Sequence, residues 1–439
     1  MSDASRHDDV SARVAEAFRR DSGKAIAVLV RQLGSIDDAE EAVQDAFVRA
    51  LETWPRDGIP PSPAGWIITT ARNRAVDVVR REATREERHL GSFRMFGTAT
   101  APDPGEAVAR AIDEAVEDDQ LRLMFTCCHP ALALDARVAL TLRLIAGIET
   151  ADIARAFLVP EATMAQRLTR AKRKIAAAKI PYRVPSREDL PERLDAVLAV
   201  LYLVFNQGYS EPRADVPDLS REAIRLGRAL ADLLPGTSEP RGLLALMLLT
   251  EARRPARFTP DGRIILLTDQ DRSRWDAGLI AQGVALVQEA LAASAPDASA
   301  RSAGAAAPAP DASARRAAAP GPYTIQAAIA AVHAAAPSVE ETDWQRILGL
   351  YDALFALQPT AIVELNRAVA VAEVHGPERA LSIVDGIPLE RYHLWHATRG
   401  NLLDRLGRHE EARAAYASAL ELAPGEAERD FLARKASGE

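Results

Sequence analysis

At 439 residues and 48% hydrophobic content, the chain is too long for one ordinary core and has ample apolar material for several. Aromatic residues make up only 5% and alanine is abundant, which favours helices packed through small side chains over sheets of β-branched residues. The net charge of -8 argues against a strong isolated nucleic-acid binder, but it is unevenly shared: residues 1–180 carry 26 basic against 27 acidic side chains, and residues 181–439 carry 28 against 35.

Residues 11 to 33 read as one helix, with Val14, Phe18, Ile26, Leu29, Val30 and Leu33 on its packing side. A second helix follows from about Asp37. Ala39, Val43, Ala46, Phe47, Ala50 and Trp54 fall on one arc, leaving Asp38, Glu41, Gln44, Asp45, Val48 and Glu52 outside it. Pro55, Gly58, Pro60 and Pro61 are expected to end it. Ser62 and Pro63 sign the start of a third helix as N-cap and first helical residue. Projected from Ile68, Ala64, Ala71, Ala75, Val76, Val78 and Val79 form its apolar side. Thr69, Thr70, Asn73, Arg74, Asp77, Arg80 and Arg81 share the other, a set of hydroxyls, amide and guanidinium groups able to meet phosphates and base edges together.

Residues 86–112 read as a flexible linker marked by Gly91, Gly97, Pro102, Pro104 and Gly105, and helical pattern resumes near Asp113. Cys127 and Cys128 are adjacent, so they form no CxxC clip and read as buried reduced thiols. Between Gly147 and Ala178 a short helix that Thr150 can cap, a turn at Val159 and Pro160, and a longer helix from Glu161 or Ala162 have helix-turn-helix spacing. Met164, Leu168, Ala171 and Ile175 face inward. Thr163, Gln166, Arg167, Arg170, Arg173 and Lys174 face out, with Arg155 nearby, as a major groove would require.

These two stretches carry a resemblance. DDAEEAVQDAFVRALETW with PAGWIITTARNRAVDVVRRE resembles region 2 of the sigma-70 family of bacterial transcription initiation factors, in its extracytoplasmic-function (ECF) class, and DIARAFLVPEATMAQRLTRAKRKI resembles region 4. The resemblance implies core RNA polymerase and promoter DNA as partners. The acidic second helix would dock on polymerase through Asp38, Glu41, Gln44, Asp45, Val48 and Glu52. The third helix would capture the -10 element with Trp66, Thr69, Thr70, Asn73, Arg74, Asp77, Arg80 and Arg81. The -35 element would meet Arg155, Thr163, Gln166, Arg167, Arg170, Arg173 and Lys174. Met164 and Ala165 depart from the residues common in relatives, which leaves open which bases are read.

After Pro181, Leu194 to Phe205 is almost wholly apolar, long enough for a buried helix and too short to span a bilayer, and NQGYSEP reads as a loop after it. With no apolar segment at the N-terminus either, a cytoplasmic protein without membrane contact is expected. Leu219 to Leu234 and Leu243 to Ala252 read as helices, Pro260 to Gly262 as a turn, and Ile264 to Leu267 as a short extended piece. Asp261, Asp269, Asp271 and Arg272 read as capping and pairing groups, and His393, His396 and His409 as packing residues, so no metal site, catalytic residue or cofactor is expected. Residues 292–321, where PDASAR occurs twice, read as a low-complexity disordered insert.

Tyr323 to Ala336 and Trp344 to Leu357 are expected helices. His393 to Gly425 fits the 34-residue TPR repeat, with Gly400, Ala412, Tyr416, Ala419 and Pro424 at its marked positions, and a weaker copy runs from Pro359 through Ala368 to Ala380. Such repeats stack into a concave surface suited to a protein or peptide partner. LYLVFNQGYSE, DQDRSRWD and RYHLWHATRGNLLDRLGRHEEA resemble the extension of one group of these sigma factors.

The expected fold is all-α. Residues 1–85 form the region 2 domain, 113–180 the region 4 helix-turn-helix domain, 181–291 a helical extension, and 322–439 TPR-like repeats. The expected function is promoter-specific initiation by a non-enzymatic sigma subunit whose extension regulates it in cis. The competing reading is a helix-turn-helix repressor with a TPR sensor that never touches polymerase.

Overall fold

The computed structural model describes residues 3–86, 118–157, 159–186, 188–210, 218–260, 262–294, 320–423 and 425–438, without the side chains of 3–13, 15, 16, 19, 20, 75–86 and 210. Among the described residues the fold is helical, with one isolated antiparallel bridge, Phe258 to Ile264. By contacts the chain divides into two compact units: Met1–Gly208 with Pro212–Leu226, and Tyr209–Glu211 with Gly227–Glu439.

The first unit opens with α1 (Asp3–Leu33), α2 (Ile36–Asp57) and α3 (Pro63–Glu86), each packed on the other two. Ala25, Ile26, Ala27, Leu29 and Val30 of α1 meet the arc Ala39, Val43, Ala46, Phe47 and Ala50 of α2, all buried. Phe18 and Phe47 stack edge to face at 4.9 Å. The α2 N-cap is Ser35, whose hydroxyl accepts from the Asp38 amide, and Pro55 sits inside the last turn, so the helix ends at Gly58 and not at the proline. Gly58 adopts φ 83°, which a side chain would resist. Ser62 caps α3 as the sequence suggests, accepting from Gly65 at 3.3 Å. The α3 core line is Ile67 and Ala71, both fully buried, whereas Ile68 is only half-buried. Ala71 is buried as projected, and the isoleucine that goes fully inside with it, one turn earlier, is Ile67 and not Ile68.

Residues 118–127 form α4, followed by α5 (Leu134–Leu140), a π-turn (Thr141–Ile145), α6 (Thr150–Ala156) and α7 (Glu161–Ala177). The π-turn closes with the Ala146 amide on the Thr141 carbonyl at 3.1 Å. Thr150 is the first residue of α6 and not its cap: Glu149 holds that position and makes no side-chain capping bond. α8 (Leu190–Ser210) buries Val197, Leu198, Val200, Leu201, Val204 and Phe205. It continues through Asn206 to Ser210, where a loop was expected. Gly208 within this turn admits the backbone of Ser220, because a Cβ there would stand 2.3 Å from the Ser220 amide. α9 (Leu219–Leu233) follows.

The second unit contains α10 (Ser238–Glu251), the short α11 (Arg254–Arg257), α12 (Ala277–Ala293), α13 (Pro322–Ala335), α14 (Trp344–Leu357), α15 (Ala361–His375), α16 (Pro377–Asp385), α17 (His393–Arg405), α18 (His409–Leu422) and α19 (Glu426–Ser437). α10 packs against α12 and α13, and from α13 onward each helix packs on the next. The Glu239 carboxylate accepts from the Tyr323 and Thr324 amides, both at 3.0 Å, and so caps α13 from α10. Residues 295–319, most of the low-complexity stretch, lie outside the described residues, as do 87–117, Asp261 and Pro424. Leu267 opens a 3₁₀ turn, so the extended piece is shorter than expected.

Candidate nucleic-acid and partner interfaces

The outward faces of the first unit are built by the helices that fill its core. On α2, with Ala39, Val43 and Ala46 buried beneath, Asp38, Glu41, Gln44, Val48 and Glu52 are exposed and Asp45 is half-exposed. Val48, at 56% exposure, is the most open of the large apolar side chains among the described residues, and its neighbour Leu51 is also exposed, at 43%. An acidic ridge with an uncovered apolar strip is the composition of a protein-docking surface.

On α3, Thr69, Asn73 and Arg74 are exposed, while Thr70 and Trp66 are half-buried. The Trp66 ring packs edge-on against Trp54 at 5.5 Å, and Trp54 is 2% exposed, so Trp66 ties the start of α3 to the end of α2. The side chains of Asp77, Arg80 and Arg81 lie outside the described residues. Arg74 donates to Asp45 at 2.8 Å, so the acidic face of α2 and the polar face of α3 adjoin through one ion pair.

In the helix-turn-helix, Met164, Leu168, Ala171 and Ile175 are buried at 1%, 5%, 4% and 7%, as the period requires. Thr163, Gln166, Arg170, Arg173 and Lys174 are exposed on the opposite side. Arg167 is half-buried beside Asp135 at 3.2 Å, and Arg155 is exposed with Asp152 as its partner. α7 therefore presents a run of hydrogen-bonding and cationic side chains of the kind that tracks a phosphate backbone.

Sequence reasoning missed a set of paired charges that ranges from the buried Glu40 to the exposed Asp37. Glu40, 9% exposed, accepts from Arg143 at 2.6 Å and from Lys172 at 3.0 Å, and Lys172 also donates to Asp37 at 2.6 Å. Burial alone would lower the Lys172 pKa, but the bonds to Asp37 and Glu40 outweigh it and raise the pKa above the ordinary lysine value. Arg31 of α1 reaches Asp119 of α4 at 2.9 Å, where burial raises the carboxyl's pKa. The Tyr182 hydroxyl lies 2.7 Å from the Ala27 carbonyl and 2.9 Å from that of Asp119. A signal for Glu40 existed: it stands three and seven residues before Val43 and Phe47, on the edge of the apolar arc.

Cys127 and Cys128 are free and buried, and burial pushes both thiols up, Cys128 to about 11. No group of His, Cys, Asp and Glu among the described residues could hold a metal ion. Asp271 instead caps a 3₁₀ turn through Ser273, and Arg272 donates to the His333 and Ala336 carbonyls at 2.8 and 2.6 Å. His396 lies 2.8 Å from the Glu390 carbonyl, and His393 and His409 lie beside Glu428 and Asp404. Among the described residues, no helix is long and apolar enough to cross a membrane.

Comparison with known proteins places names on the same elements. Residues 17–85 match the model of Sigma-70 region 2, and residues 122–175 that of Sigma-70, region 4. Residues 193–291 match a family of unknown function, DUF6596. The uncharacterized protein R00370 of Rhizobium meliloti is 43% identical over 415 residues, covering 93% of this chain and 92% of that protein. The probable ECF RNA polymerase sigma factor SigI of Mycobacterium tuberculosis is 30% identical over 179 residues, 40% of this chain and 57% of SigI. SigJ of the same species, also an ECF RNA polymerase sigma factor, is 28% identical over 35% of this chain and 46% of its own length. With region 2 on α1 to α3 and region 4 on α4 to α7, the chain belongs to the sigma-70 family of RNA polymerase sigma factors, in its ECF class.

Proposed function

We infer that the chain selects promoters for core RNA polymerase through three surfaces and that its C-terminal part regulates this in cis. Asp38, Glu41, Gln44, Asp45, Val48 and Glu52 dock on polymerase. Trp66, Thr69, Thr70, Asn73 and Arg74, with Asp77, Arg80 and Arg81 further along α3, meet the -10 element. Arg155, Thr163, Gln166, Arg167, Arg170, Arg173 and Lys174 meet the -35 element. The observation that carries this reading is the pairing, in one unit, of an exposed acidic and apolar ridge on α2 with an exposed basic face on α7. Chemistry in such a system belongs to the polymerase, and the site of action is the cytoplasm.

The extension acts as a TPR-like partner-binding module. Its hairpins, α15 with α16 and α17 with α18, support this, as does Gly400, where a Cβ would stand 3.0 Å from the Tyr416 ring. The test is to mix the purified protein with core polymerase and genomic DNA and to sequence the transcript starts. Starts sharing one upstream motif are expected, and their absence would refute the assignment. A chain ending at Leu234, which keeps α8 and α9, tests the extension: transcription and its regulation should change, and unchanged output would refute a regulatory role.

A further inference from the structure

An arginine on a DNA-facing helix can serve in two ways. A mobile guanidinium meets a phosphate from many directions, whereas one held in place can offer its two terminal nitrogens to a base edge. The outward cations of α7 differ in this respect. Arg170 and Arg173 are exposed and have no partner among the described residues. Arg167, the seventh residue of α7 and so within its first two turns, is half-buried, and its Nε lies 3.2 Å from a carboxylate oxygen of Asp135. Asp135 stands in the first turn of α5, which packs on α7. Its other oxygen accepts from the Ala136 amide at 2.9 Å. The carboxylate is thus tied to its own helix through one oxygen and grips an arginine of the next helix through the other.

Which atom Asp135 occupies decides what Arg167 has left. With Nε engaged, the terminal nitrogens Nη1 and Nη2 make no hydrogen bond among the described residues, so the end of the fork that matches guanine O6 and N7 stays open. The neighbouring pair is arranged otherwise: Asp152 takes a terminal nitrogen of Arg155, Nη2. We propose that Asp135 is a positioning residue for promoter readout, fixing Arg167 so that it reads one guanine of the -35 element in the major groove, while Arg170 and Arg173 hold phosphates. The proposal rests on the assignment of α7 to the -35 element. Recognition helices meet base edges with their N-terminal turns, where Arg167 stands. A side chain ordered before DNA arrives loses less freedom on binding, and a guanidinium held in one direction leaves its donors unmet opposite any base other than guanine. The plainer role for Asp135, an acid favoured at the start of α5, predicts no effect on base choice.

The test uses the full chain with core polymerase on a promoter pool whose -35 element is randomised, and counts transcripts by sequencing. The wild-type chain should prefer guanine at one position by at least about tenfold, and Arg167→Ala should abolish the preference there and nowhere else. Asp135→Asn keeps an acceptor for the Ala136 amide and removes the charge, so it should lower the same preference about three- to tenfold. Asp135→Glu should restore most of it. Arg173→Ala is the comparison, an exposed cation whose loss should lower output across the pool without changing the preferred bases. Circular dichroism checks that each variant is folded, and Asp135→Ser, which also leaves an acceptor near the Ala136 amide, replaces the asparagine variant if that one is not. A guanine preference equal in the wild-type and Asp135→Asn chains, or a loss of output spread evenly over all -35 sequences, would overturn the proposal. If Arg167→Ala, Arg170→Ala and Arg173→Ala all leave the transcript pool unmoved, the assignment of α7 to the -35 element fails instead, and the proposal falls with it.

Discussion

Lys172 and Glu40, 132 positions apart in sequence, meet at 3.0 Å, and Arg143 holds the same carboxylate at 2.6 Å. One mostly buried acid thus satisfies two cations from two segments of region 4. Glu40→Gln should leave Arg143 and Lys172 without their shared countercharge and destabilise the first unit by about 2–4 kcal/mol, since removing one partner of a buried pair costs more than the pair contributes. Urea unfolding followed on that unit's tryptophans, Trp54 and Trp66, would measure it. A change below about 0.5 kcal/mol would show that water already serves the two cations.

The acidic ridge makes a different demand. Glu41→Lys with Glu52→Lys reverses exposed charge without touching the core, so thermal stability should hold within about 0.5 kcal/mol while affinity for core polymerase falls at least about tenfold. Asp45→Lys is less clean, because it also releases Arg74 from its 2.8 Å pair. Retained affinity in a pull-down with core polymerase would move the docking surface elsewhere.

On α7, Arg170→Ala and Arg173→Ala each remove an exposed cation. Each should reduce the slope of log affinity against log salt by about 1 if it contacts a phosphate. Arg167→Ala should do less, since Arg167 is half-buried and already paired with Asp135 at 3.2 Å. Titration of holoenzyme onto promoter DNA at several salt concentrations separates the three.

The helices that bury one apolar stripe were the most legible part of the sequence. α2 and α7 repeat their core residues at intervals of three and four, so Ala39 to Ala50 and Met164 to Ile175 could be placed before any coordinates. Positions set by tertiary contact were not. Ile67 lies inside and Ile68 only half inside, a choice that packing against α1 and α2 makes and the period alone does not. Helix α8 runs through Gly208, where the Ser220 backbone passes at the place a Cβ would sit, a tertiary approach that no local signal announces. Among the candidate surfaces, the exposed residues were readable from periodicity, and so was the place of Glu40 at the edge of the apolar arc, but its pairing with Arg143 and Lys172 was not, because an ion pair spanning more than 100 positions has no sequence period.

The adjacent thiols should be inert in the folded chain. Burial holds Cys127 and Cys128 above the ordinary thiol pKa, Cys128 at about 11, so at pH 8 neither presents thiolate. A maleimide or disulfide reagent should label them at least about a hundredfold more slowly in native protein than in urea. Rapid labelling of the native chain would mean that α4 opens readily.

In the second unit, Gly400 of α17 faces the Tyr416 ring of α18, where a Cβ would meet three ring carbons at 3.0–3.1 Å. Gly400 and Tyr416 are both buried, and Tyr416, at 3% exposure, has no open side to retreat into. Gly400→Val adds a branched side chain where even the first carbon is crowded, and its β-branching is also disfavoured relative to alanine in a helix. The hairpin should lose about 1–3 kcal/mol by overpacking. Gly400→Ala should cost much less, because its gain in helix propensity of up to about 1 kcal/mol opposes the clash. Thermal melts of the two variants would order them, and a valine variant as stable as the glycine chain would show that α17 and α18 part without cost and that the close approach is not what holds the pair together.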